Sequence, residues 1–190
     1  KVIDEKKLGF SIKFGEGKKA CELIEAIATR KPGIGSLLAD GVEKAAADMK
    51  TMELREGAQK FLKFLCDFKV PLVIISAGVG NFIESNLKKN NCYFNNTYIS
   101  SNMIEFKEGV AVGVKGSVIH SLNKDEVSLP EEIKEKIENR EYIILLGDQV
   151  DDIRMVDESK KKNTICIGFI SDGNESSVEE YKKYFDIVCE

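Results

Sequence analysis

The stretch "YIILLGDQVDDIRM" places three acids, Asp148, Asp151 and Asp152, directly after an apolar run and Gly147. Carboxylates crowded at the mouth of a buried strand lose hydration and repel one another, so the position suits a cation or a proton. Asp148 and Asp152 are four apart, and a helix that begins just after Gly147 turns both toward one cleft. Two acids and a phosphate oxygen are typical donors for Mg2+, which prefers hard oxygen ligands and keeps several waters. Asp151 has the simpler reading of a helix cap or a solvated acid.

Two further stretches can meet an anion. In "IISAGVGNFIESNL", Ser76 closes an apolar strand, and Gly78 and Gly80 are expected to let the backbone turn into a helix. A hydroxyl and free N–H groups at a helix start form an anion site. Ser76 does not fit a hydrolase nucleophile, because "IISAG" lacks the first glycine of G-x-S-x-G. In "GVKGSVIHSLNKDE", Lys124 follows Asn123 in a polar break, where an ammonium can neutralise a phosphate or a carboxylate; the plain alternative is an exposed lysine. His120 is expected to be a half-buried packing residue.

These loops need elements to hold them. Residues 17–29 carry Ala20, Leu23, Ile24 and Ile27 at helical spacing, and "KPGIGS" ends that helix. A second helix is expected over 37–49, and a third after "ELREG" with Ala58, Phe61, Leu62, Leu65 and Phe68 on one face. From residue 70 the texture changes to short apolar runs: 70–76, 96–103, 142–147, 164–169 and 186–189. Continuous apolar strands separated by helices indicate a parallel sheet covered on both faces. The expected fold is therefore a three-layer, Rossmann-like α/β core with a mainly parallel sheet, preceded by an α-helical segment. Ligands in such sheets bind at the carboxyl ends of the strands, where Ser76 and Asp148 fall.

Composition narrows the partners. With 28 basic and 32 acidic side chains and a formal charge of -4, no broad nucleic-acid or anionic-membrane surface is expected. No apolar run reaches the ~20 residues of a bilayer span. The start "KVIDEKKLGF" lacks a signal peptide's hydrophobic stretch, so synthesis without export is the expectation. Five cysteines, widely spaced and without a CxxC pair, suggest reduced thiols in a cytoplasm rather than zinc or disulfides. The single histidine argues against a His-based metal site.

Taken together, "VIISAGVG", "NMIEFKEGVAVGVKGSVIHSLNK" and "IILLGDQVDDIRM" resemble the haloacid dehalogenase superfamily of phosphatases, and within it the pyrimidine 5'-nucleotidase family. The resemblance runs from about Thr51 to Glu190 and keeps the order of three of the four superfamily motifs. It implies that Ser76 and the Ala77 backbone bind the phosphate of a nucleoside monophosphate. It implies that Lys124 stabilises charge on the phosphate and on an attacking carboxylate, and that Asp148 ligates Mg2+ with Asp152 in support. The family's reaction passes through an aspartyl-phosphate, formed by one aspartate while a second protonates the leaving oxygen.

Those two aspartates belong to a D-x-D-x-T loop that this sequence does not contain. "CDFKV" has the wrong third residue, "VIDEK" offers only Asp4, and "ADMKT" only Asp48. The family's first strand, which precedes that loop, would lie between the strands ending at Ser76 and Gly147; "FSIKF" (10–14) is a candidate substitute. Residues 1–49 instead look like an internal segment of the aldehyde ferredoxin oxidoreductase family, especially "RKPGIGSLLADGVEKAA". None of that family's cluster cysteines or pterin-binding residues is present there, so no tungsten or molybdenum chemistry carries over. The expected organisation is a helical segment over 1–49, cap-like or oxidoreductase-like, and a phosphatase core over 50–190. Three functions follow: a Mg2+-dependent 5'-nucleotidase that is incomplete or inactive as this chain, a phosphate or nucleotide binder without turnover, or a fusion fragment.

Overall fold

The structure is a computed structural model that describes residues 54–119, 129–170 and 175–189, with the side chains of 175–177 excepted. The expected helices of 17–29 and 37–49, the candidate strand 10–14, Asp4, Asp48, His120 and Lys124 lie outside the described residues. The described chain divides into two compact units, one holding residues 62–119 and the other 54–61 with 129–189.

Helix α1 (Ala58–Asp67) buries Ala58, Leu62 and Leu65, spaced along one face. Phe68 does not join them as expected: the helix has ended, and Phe68 is 67% exposed with its ring 4.5 Å from that of Phe64. Lys69 takes a left-handed φ of 54° while Val70 N donates to Leu65 O at 2.8 Å and Lys69 N to Cys66 O at 3.0 Å. That pattern closes the helix, but Phe68 N still donates to Phe64 O at 3.1 Å, so Phe68 continues the exposed row of Phe64 rather than the buried face.

In the unit of 62–119, β1 (Leu72–Val79) pairs in parallel with β2 (Thr97–Asn102), joined by helix α2 (Gly80–Lys89). Asn91, at φ 53°, ends α2 in the same way, with Cys92 N donating to Leu87 O at 2.8 Å and both side chains buried. An antiparallel hairpin follows, β3 (Ile104–Lys107) and β4 (Val110–Val114). Its two-residue turn, Glu108 at φ 52° and Gly109 at φ 78°, matches the twist of the flanking strands. The hairpin escaped the sequence reading, although "IEFKEGVAV" alternates and carries glycine at the turn. Ile104 and Val79 form a small core with Phe82, Phe106, Ala111 and Val114.

In the other unit, helix α3 (Glu131–Ile137) precedes a parallel sheet in the order β5 (Ile143–Gly147), β6 (Thr164–Phe169), β7 (Ile187–Cys189). Two 3-10 turns, Val150–Met155 and Glu158–Asn163, join β5 to β6, and helix α4 (Glu175–Tyr181) joins β6 to β7. Ile167, Phe169 and Cys189 are buried at the carboxyl ends of the strands with Leu146 against them, and the Arg55 guanidinium lies 5.0 Å from the centre of the Phe169 ring. At the amino ends of β5 and β6, register neighbours Ile144 and Ile165 are 58% and 50% exposed. The parallel α/β architecture is as the sequence indicated. Among the described residues, β1 pairs only with β2 and β5 only with β6.

Candidate active-site loops

Each unit carries one of the two described candidate loops at a strand's carboxyl end. After β1, the pairing with β2 shifts between Ser76 and Val79, so residues 77 and 78 bulge out of the ladder. Ser76 is buried, and its Oγ accepts from Gly78 N at 3.1 Å. The Ala77 carbonyl, in the same peptide unit as Gly78 N, accepts from Asn102 Nδ2 at 2.8 Å, so that peptide plane is held at both ends. Ser101 Oγ donates to Gly78 O at 2.9 Å.

The expected role of Gly78 and Gly80 as turn residues gives way to another. Left-handed glycines among the described residues are Gly57, Gly109 and Gly116. Space at Gly80 is narrow: a Cβ there would lie 3.2 Å from Ser101 Cβ and would displace the flexible end of Met103. Val79, which opens α2, makes no side-chain cap hydrogen bond.

Asn102 is the residue that sequence reasoning missed in this loop. It is 1% exposed, donates also to Ile119 O at 2.9 Å, and accepts from Ile119 N at 2.8 Å. One buried amide thus ties the Ser76 loop to the start of the segment that leads to Lys124. Nothing but its place at the end of an apolar strand distinguished Asn102 from the other asparagines.

After β5, Asp148 is half-buried and Asp152 is buried. The Asp152 carboxylate reaches Asp148 at its backbone N–H, through a 3-10 turn rather than an α-helix. Asp152 Oδ2 accepts from both Asp148 N and Gln149 N at 3.1 Å, and the Gln149 side chain returns the bond to the Asp152 backbone. Such reciprocal capping satisfies amides that the turn leaves open. Asp151 is exposed, in keeping with its simpler reading. Gly147 makes the arrangement possible, since a Cβ there would lie 2.7 Å from Asp152 Cβ.

Among the described residues, no three histidine, cysteine or acidic side chains converge on a metal-sized site. A half-buried Asp148 at a strand end, with buried Asp152 holding its backbone, nonetheless suits Mg2+, which takes one or two carboxylates and fills its octahedron with water and phosphate oxygens. Among the same residues no helix is long and apolar enough to cross a membrane.

Comparison with known proteins bears on what these loops do. The family model described as pyrimidine 5'-nucleotidase (UMPH-1) matches residues 34–190. A 7-methylguanosine phosphate-specific 5'-nucleotidase A of Xenopus laevis is 36% identical over 138 residues, which cover 71% of this chain and 48% of that protein. The Homo sapiens 7-methylguanosine phosphate-specific 5'-nucleotidase is 35% identical over 140 residues, covering 72% and 47%. The crystal structure of cytosolic 5'-nucleotidase IIIB bound to cytidine superposes with a TM-score of 0.70 at 29% identity, over 79% of this chain and 51% of that one. The chain spans about half the length of the curated relatives it matches. The order of strands, the Ser76 and Asp148 loops at their carboxyl ends and these matches agree: the chain belongs to the pyrimidine 5'-nucleotidase (UMPH-1) family of haloacid dehalogenase-type proteins.

Proposed function

We propose that the chain is the phosphate- and metal-binding part of a Mg2+-dependent phosphomonoesterase for nucleoside monophosphates, working in the cytoplasm. The observation that carries this reading is the Asp148 loop, a half-buried acid at a strand end with both flanking amides held by a second acid. Asp148 is the metal ligand. Asp152 supports the metal through water or a hydrogen bond while holding the loop. Ser76 and the Ala77 backbone receive the phosphate, and Lys124 neutralises charge on the phosphate and on an attacking carboxylate. When bound, Mg2+ supplies charge neutralisation at the phosphoryl oxygens.

The relatives support the substrate class. Two are named for 7-methylguanosine phosphate, and the solved structure holds cytidine. That structure's cytosolic description and the cysteine usage support the compartment. Hydrolysis itself needs a carboxylate nucleophile and a general acid, and no D-x-D-x-T loop occurs in the 190 residues. Alone, the chain therefore binds nucleotide without releasing phosphate.

The test is phosphate release and calorimetric binding with cytidine and 7-methylguanosine monophosphates, with and without Mg2+, beside Asp148→Asn. Mg2+-dependent binding lost in the variant, without turnover, is expected. Turnover lost in the variant would place a nucleophile within the chain, with Asp4 and Asp48 the first candidates. Absence of any Mg2+-dependent nucleotide binding would overturn the reading in favour of a fusion fragment.

A further inference from the structure

The Asp148 loop is held by more than its own acids. Asp148 Cα lies between two peptide units. Both of their N–H groups, Asp148 N and Gln149 N, donate to Asp152 Oδ2. The carbonyl of the second unit, Asp148 O, accepts from the Tyr181 hydroxyl at 2.5 Å, a contact reaching across 33 residues from the end of α4. Peptide units are planar, so holding both of them fixes the φ and ψ of Asp148 and leaves only its side-chain rotamers free.

Two glycines make room for the two holds. Gly147 and Gly168 are register neighbours at the carboxyl ends of β5 and β6. A Cβ on Gly147 would strike Asp152; one on Gly168 would lie 2.7 Å from the Phe185 ring and 3.0 Å from Tyr181 Cδ1. Phe185 is buried, and its ring stacks on that of Tyr181 at 5.4 Å. The tyrosine ring is thus fixed by packing, and its hydroxyl is aimed at one backbone atom.

We propose that Tyr181 is a positioning residue for Asp148: its hydroxyl locks the 148–149 peptide so that the carboxylate is presented to a divalent cation in one orientation. This rests on the reading of Asp148 as the metal ligand. Groups that orient a metal ligand without touching the metal commonly change affinity by about 10–100-fold when removed, and a single neutral hydrogen bond belongs at the lower end.

The test compares the wild-type chain, Tyr181→Phe and Asp148→Asn. It reads Mg2+ affinity by calorimetry, amide hydrogen exchange at Gln149 and Asp152, and thermal unfolding. Tyr181→Phe keeps the ring and its stacking on Phe185. It should weaken Mg2+ binding about tenfold and speed exchange at Gln149, with the unfolding temperature nearly unchanged. Wild-type binding lost in Asp148→Asn but undiminished in Tyr181→Phe would overturn the inference alone. Affinity lost only together with global unfolding would make Tyr181 a structural residue and overturn it as well. No Mg2+ binding by the wild type, or binding indifferent to Asp148→Asn, would overturn the metal reading beneath it.

Discussion

Asp152 shows how one side chain can organise a loop. Its Oδ2 receives two backbone N–H groups from a position that is 3% exposed, where water cannot replace it. Asp152→Ala should therefore cost about 1–3 kcal/mol, the penalty of leaving buried donors unpaired, whereas exposed Asp151→Ala should stay within about 0.5 kcal/mol. Urea unfolding of the two variants measures the difference. Asn102 does the corresponding work after β1, so Asn102→Ala should also cost about 1–3 kcal/mol and expose the Ile119 amide to hydrogen exchange. The acids could be found by their spacing after a glycine. Asn102 and Tyr181 could not, because each acts on a backbone atom whose neighbourhood is set by folding.

Among the elements, the glycines divide by what surrounds them. Gly147 and Gly168 face side chains at 2.7 Å, while Gly113 in β4 has nothing within 4 Å. Gly147→Ala and Gly168→Ala should each destabilise by about 1–3 kcal/mol through overpacking. Gly113→Ala should be neutral, or stabilise by up to about 1 kcal/mol, by restricting the unfolded chain. Thermal unfolding of the three variants checks that order. The strands at 164–169 and 142–147 were readable because continuous apolar runs bounded by polar residues have few other solutions. Phe68 missed the expected face because it continues the row of exposed Phe64 one turn on, and the β3–β4 hairpin went unread although left-handed Glu108 and Gly109 reverse the chain there within two residues.

At the level of the whole molecule, proton linkage gives a direction. Burial, reinforced by nearby Asp186, raises the Cys166 thiol above its ordinary 9.0. Burial, with Glu84 adding to it, raises the Tyr93 phenol above its ordinary 10.0. Above those ordinary values the unfolded chain loses protons that the folded chain still holds, so stability falls as pH rises toward the raised values. The contribution is intact below about pH 9, and urea midpoints should decline from there upward. Replacing Cys166 by Ser and Tyr93 by Phe together should flatten that decline. Half-buried Cys166 should also react with alkylating reagents more slowly than a free thiol at neutral pH.

The order of three motifs carried the resemblance to the family, and two of them, at Ser76 and Asp148, place a residue type at the carboxyl end of an apolar strand. Ser76, Asp148 and Asp152 were named on that basis. The structure added how their loops are held: by the amide of Asn102, by the hydroxyl of Tyr181, and by the space at Gly80, Gly147 and Gly168. Periodicity and spacing record which face a residue shares with its near neighbours along the chain. Contacts such as that of Tyr181 with Asp148, 33 residues apart, depend on strand order and ring packing, which no local pattern encodes.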